Sequence, residues 1–130
     1  MEKNEVTIPE LDQLITHFAT QKDMEARKYG IAPLSTQDDH TQGRFLAFSY
    51  VTWRLKQWRT PVITSEGRAF ELKEEIKLLE GHAIVCDQDS RKEGMSLSQE
   101  RYEGKRDGYR EIIKYLKEFL SIEEDQHAQS

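Results

Sequence analysis

Gly43-Arg44-Phe45-Leu46-Ala47-Phe48-Ser49-Tyr50-Val51-Thr52-Trp53-Arg54-Leu55-Lys56-Gln57-Trp58 has a counterpart 61 residues downstream, Gly104-Lys105-Arg106-Asp107-Gly108-Tyr109-Arg110-Glu111-Ile112-Ile113-Lys114-Tyr115-Leu116-Lys117-Glu118-Phe119. Without a gap, Gly43, Arg44, Ala47, Phe48, Val51, Leu55, Lys56 and Trp58 match Gly104, Lys105, Gly108, Tyr109, Ile112, Leu116, Lys117 and Phe119 in character. Apolar residues three and four apart put one face of an α-helix toward a core in each stretch. Glycine inside a helix costs roughly 1 kcal/mol against alanine, so a glycine that recurs in the same context predicts a packing reason. Gly43, Ala47, Gly104 and Gly108 are therefore expected to let two helix backbones approach closely, either against each other or across a dimer interface.

The same offset reaches outward to Leu11/Leu72, Ile15/Ile76, Phe18/Leu79, Leu34/Met95 and Ser35/Ser96. Helical period alone forces some of the apolar agreements, but not the glycine and serine ones. The fold expected is an all-α four-helix bundle, a plan that admits two pseudo-repeated helix-loop-helix units. Thr7-Ile8-Pro9-Glu10 reads as a capping box that opens a helix running to Tyr29, with Gly30 and Pro33 as its stop. The second helix starts at Ser35 or Thr36, where Asp38 and Asp39 complement the helix dipole, and ends before Thr60-Pro61. The third starts near Ser65, carries Ala69, Leu72, Ile76 and Leu79 inward, and is expected to close at Gly81. Glu71, Lys73, Glu74, Glu75 and Lys77 would be its solvated face. An irregular loop is expected over 82–95, with Ala83-Ile84-Val85 as a brief strand or a plug. The fourth helix begins at Ser96 or Ser98 and runs to about Ser121. Residues 1–122 would form one domain and the polar stretch 123–130 a disordered tail.

Composition narrows the class. The chain has 130 residues, 36% hydrophobic and 33% charged, with mean hydropathy −0.81, which suits a thin core under a large solvated surface. A formal charge of −5 argues against coating nucleic acid by bulk charge. The single cysteine, Cys86, excludes an intrachain disulfide and makes a cytoplasmic location the expectation. The opening residues lack the apolar run of a signal peptide, and no stretch approaches the roughly 18 apolar residues of a membrane span.

Two sets of residues have the chemistry of a site. Glu71-x-x-Glu74 and Glu100-x-x-Glu103 each put two acids on one helical face, where four carboxylates can converge on Mg²⁺ holding a phosphate chain. This spacing resembles the all-α nucleoside triphosphate pyrophosphohydrolases of the MazG and dUTPase type, whose pattern is ExxE followed after a linker by ExxD. The resemblance covers only this part of the chain, and it implies Mg²⁺-dependent release of pyrophosphate from nucleotides. The chain departs from the pattern in having Glu103 where that family has Asp, and in having no helix after the fourth. The second set is Asp38, Asp39 and His40 with His82, Cys86, Asp87 and Asp89, donors suited to a transition metal but without the spacing of a known zinc motif.

Cations interleaved with aromatics form a third feature: Arg44, Tyr50, Trp53, Arg54, Lys56, Trp58 and Arg59 on helix two, and Lys105, Arg106, Arg110, Lys114 and Lys117 on helix four. Such a surface suits an acidic protein partner or nucleic acid. Trp53 lies off the apolar stripe, and Tyr50, Trp53, Arg54 and Arg106 are the expected contact residues. The reading favoured is a small cytoplasmic binding or regulatory protein, self-associating and acting through protein–protein contact, with no cofactor or metal and no catalytic residues. A Mg²⁺-dependent pyrophosphohydrolase using Glu71, Glu74, Glu100 and Glu103, and a nucleic-acid-binding accessory protein, are the alternatives.

Overall fold

A computed structural model describes residues 6–31, 36–59, 65–91 and 96–121, with side-chain surroundings for 6–28, 39–59, 72–91 and 99–121. It is an all-α four-helix bundle of α1 (Ile8–Ile31), α2 (Thr36–Arg59), α3 (Ser65–Ser90) and α4 (Ser96–Phe119), with no strand among the described residues. The capping box at the start of α1 is reciprocal. The Thr7 N–H donates to Glu10 Oε1 at 3.0 Å, and the Glu10 N–H donates back to Thr7 Oγ1 at 3.2 Å, so two otherwise orphaned donors are satisfied.

α2 packs along α4, while α1 lies on α2 and α3 on α4. Leu11, Leu14, Phe18, Phe48, Val51, Leu55, Leu72, Leu79, Ile112, Leu116 and Leu120 are fully buried and form one continuous core. α2 and α4 run parallel, and they touch backbone to backbone at the glycines. A Cβ added to Gly43 would collide with the Arg101 carbonyl oxygen and lie 2.7 Å from the Lys105 nitrogen. One added to Gly104 would collide with the His40 carbonyl oxygen and lie 2.8 Å from its carbon. Arg101 stands 61 residues after His40, so the two contacts exchange under the sequence offset, as they do about a two-fold axis between parallel helices. Gly108 completes the seam against Ala47, where an added Cβ would come within 2.8 Å of the alanine methyl.

Burial follows the same offset. Buried Leu11, Leu14, Phe18 and Glu25 on α1 correspond to buried Leu72, Glu75, Leu79 and Cys86 on α3. On the central pair, Gly43, Ala47, Phe48, Val51, Thr52 and Leu55 correspond to Gly104, Gly108, Tyr109, Ile112, Ile113 and Leu116, all buried.

Several expectations need correction. The loop expected from His82 is helix as far as Ser90, because Ala83, Cys86 and Ser90 continue the buried stripe of Leu72, Ile76 and Leu79 at helical spacing. Gly81 does not stop it: it faces solvent, an added Cβ there would meet nothing within 4 Å, and a glycine in that place costs only about 1 kcal/mol. Ala83-Ile84-Val85 is neither strand nor plug. Only Ala83 turns inward, leaving Ile84 59% and Val85 53% exposed. Glu75 is not on the solvated face but is 1% exposed, in the place that Leu14 holds on α1. α1 also continues through Gly30 to Ile31. The Leu34/Met95 match, Ser35 and the 123–130 tail lie outside the described residues, as do the side chains of Asp38, Ala69 and Glu71.

Candidate binding surfaces

The cations that made helices two and four look like a recognition surface are mostly engaged within the bundle. Arg44 joins three helices: its Nε donates to Glu25 Oε1 at 3.0 Å on α1, and its Nη2 donates to Glu111 on α4. Glu25 is 3% exposed and also accepts from Lys28 at 3.0 Å. Arg54 grips Glu75 of α3 bidentately, Nε to Oε1 and Nη2 to Oε2, both at 2.8 Å, and these bonds hold its guanidinium above the usual arginine range. Arg59 donates to Asp12 at 2.6 Å and Lys117 pairs with Glu80 at 3.1 Å. Arg106 donates to Asp87 at 2.8 Å and to Asp107 at 3.0 Å; its hydrogen bond is the main reason the Asp87 carboxyl sits below the usual carboxylate range.

Of the four expected contact residues, Tyr50 and Trp53 stand together, with ring centroids 6.4 Å apart. Arg54 and Arg106 turn toward α3 instead. Trp53 is 54% exposed, on the outward side of α2 that also carries exposed Leu46 two turns earlier. Behind it, Tyr50, His82 and Tyr109 meet across three helices, the His82 ring 5.4 Å from Tyr50 and 5.6 Å from Tyr109. The His82 Nε2 is buried there without a hydrogen-bond partner among the described residues. Burial, reinforced by Cys86 and Tyr50, holds the Tyr109 phenol well above its ordinary range, so it stays protonated. Burial also pushes the Cys86 thiol up, away from the thiolate a nucleophile needs.

The carboxylates are spread out. Glu74 is exposed and lies 3.6 Å from Lys77, Glu100 and Glu103 are half-buried on α4, and the Glu71 side chain lies outside the described residues. His40 sits 2.9 Å from Asp107, and Asp39 lies 3.5 Å from Arg101. Among the described residues no group of three or more His, Cys, Asp or Glu stands close enough to hold a metal ion. No described helix is long and apolar enough to cross a membrane.

A second surface lies along the α3–α4 seam. Ala83, Ile84 and Ile113 floor a groove of about 440 Å³, Arg110 and Lys114 rim it, and the Lys117–Glu80 ion pair closes one end. One turn past Arg110 the seam is crossed again by Arg106 and Asp87. Its basic side was visible in the sequence, but its apolar floor was hidden by the loop expected at 82–95. The buried acids left a fainter trace, since Glu25 and Glu75 fall on the helical stripes of Leu11, Leu14, Phe18 and of Leu72, Leu79.

On the opposite side of α4, His17 stacks on Tyr115 with centroids 3.9 Å apart and planes 9° from parallel. Desolvation there lowers the His17 pKa from its ordinary 6.5, against a weaker upward pull from Glu111. The unfolded chain therefore takes up a proton near pH 6.5 while the folded one resists until lower pH, so stability falls as pH drops below that value. Urea midpoints at pH 7.5 and 5.5 should show a smaller acid loss in His17→Phe than in the wild type.

The chain matches no protein-family model, and no curated protein or solved structure matches it either.

Proposed function

We propose that this is a small helical binding protein that works through protein–protein contact, with the outward face of α2 around Trp53 as the contact surface and a second copy of the chain as a partner. The observation that carries this is the 54% exposure of Trp53 beside Tyr50. A large aromatic left in water is unfavourable for an isolated chain, and tryptophan is enriched at interface hot spots. The glycine seam is consumed between α2 and α4 of one chain, so self-association has to use another face. Engagement of Arg44, Arg54, Arg59, Arg106 and Lys117 by acids of the same chain weighs against nucleic acid as the partner, as does the net charge of −5. The bundle then serves as a rigid frame made of two helix hairpins, and the recurrence of burial at one offset supports an origin by duplication.

Sedimentation over a concentration series tests the reading. The wild type should self-associate, whereas Trp53→Ala should remain monomeric and unfold within about 0.5 kcal/mol of the wild type, as exposed surface changes do. A monomeric wild type at all concentrations, or identical behaviour of the two proteins, would overturn it.

A further inference from the structure

The α3–α4 groove has an apolar floor and two exposed cations on its rim, Lys114 and Arg110, the latter also within electrostatic reach of Asp87. We propose that it is the docking site of this chain's own acidic segment, residues 122–125, in which Ile122 precedes Glu123, Glu124 and Asp125. Charge complementarity and the direction of the chain where α4 ends both support this occupant.

Direction comes from Ser121. Its φ of 59° is left-handed, and its N–H donates to the Glu118 carbonyl at 3.1 Å while the Leu120 N–H still donates to Leu116. A left-handed residue at this position stops a helix, turns the chain back, and sets the following residue against side chains of the last turn. Here that turn carries Lys117, the end wall of the groove, and Leu116. Under this proposal Ile122 enters the groove at its Lys117 end and the three acids follow it.

Length agrees as well. Ser121 to Lys114 spans seven helical residues, roughly 10 Å of axis, and four extended residues span roughly 13 Å. The acids therefore reach the level of Lys114, and the long Arg110 side chain one turn further on extends toward the last of them, while Ile122 stays at the Lys117 end of the groove. Lys117 already has Glu80 as a partner, so the docked segment is held mainly by Lys114 and Arg110. Both are exposed, so the contact is sensitive to salt.

Zero-length carbodiimide coupling of the full chain, read by mass spectrometry, tests the assignment. Lys114 should couple to Glu123, Glu124 or Asp125 within a single chain, as shown in a mixture of ¹⁴N and ¹⁵N protein. The yield should fall about fivefold in 0.5 M salt, as screening requires for exposed charges, and comparably in Arg110→Glu. Lys117 is too near in sequence to be diagnostic. As a second readout, the amide resonances of Ala83, Ile84 and Ile113 should shift between the wild type and the triple variant Glu123→Gln, Glu124→Gln, Asp125→Asn. Coupling at Lys114 no greater than at Lys73 or Lys77, together with unmoved groove resonances, would overturn the proposal. Coupling found only between isotopically distinct chains would overturn it too, in favour of a second copy as the donor of the segment.

Discussion

Gly104→Ala is expected to lower the free energy of unfolding by about 3 kcal/mol or more, at the upper end of what overpacking costs, whereas Gly81→Ala should raise it by about 0.5–1 kcal/mol. The substitution is chemically the same, one methyl group in a helix interior, and in both places alanine gains the same intrinsic helix propensity. Surroundings decide the sign. At Gly81 the methyl enters solvent with nothing within 4 Å. At Gly104 it would land on the His40 carbonyl oxygen, with the carbonyl carbon at 2.8 Å, and a backbone carbonyl inside a helix has no rotamer by which to move aside. Relief requires α2 and α4 to separate, which loosens every layer stacked along them, from Phe48 and Tyr109 to Leu55 and Leu116. Gly43→Ala should behave like Gly104→Ala, because its added Cβ meets the equivalent backbone at Arg101 and Lys105. Gly108→Ala, which meets the methyl of Ala47 and the Arg44 backbone, should cost less.

Urea denaturation with matched m-values measures all four. Gly81→Ala also reports on the path of α3: a glycine acting as a left-handed helix stop is destabilised by alanine, so a gain in stability is the signature of a helix continuing to Ser90. A Gly104→Ala protein as stable as the wild type would mean that α2 and α4 do not touch there.

The glycine seam was legible in the sequence because glycine weakens a helix, so its return at the same point of two apolar helical patterns marks a place where a side chain cannot fit. The Thr7–Glu10 cap was legible because its chemistry is local. The path of α3 beyond Gly81 was not. Local punctuation favoured a stop, while the competing signal, Ala83, Cys86 and Ser90 on the stripe of Leu79, relies on small residues that look polar or ambiguous until α4 is laid against them. Surface chemistry was the least legible. Arg54 and Arg106 resemble recognition residues in any one-dimensional reading, and only the placement of Glu75 and Asp87 across the α2–α3 and α3–α4 boundaries shows that their guanidinium groups are engaged.

Arg54→Met should cost about 3–5 kcal/mol, the range found when one member of a buried ion pair is removed. The Glu75 carboxylate is 1% exposed and takes both its strong hydrogen bonds from Arg54, so the variant leaves a charge in the core with neither partner nor water. Glu75→Leu should cost less, because the orphan it leaves, the Arg54 side chain, is 31% exposed and can reach solvent. Combining the two should restore stability to within about 1 kcal/mol of the wild type or exceed it, since well-packed apolar replacements of buried pairs are often neutral or stabilising. Leucine is the apt replacement because Leu14 already fills the corresponding place on α1, fully buried. A coupling energy above about 2 kcal/mol in the double-mutant cycle would show that the two side chains act as one unit; additive losses would mean that Glu75 is solvated after all. The cycle also separates architecture from recognition at adjacent residues. Arg54→Met should weaken self-association only in proportion to unfolding, and the double variant should regain it, whereas Trp53→Ala should lose it with the fold intact. If the stable double variant still failed to associate, Arg54 would belong to the contact surface, and its bond to Glu75 would serve to hold the guanidinium in place for a partner.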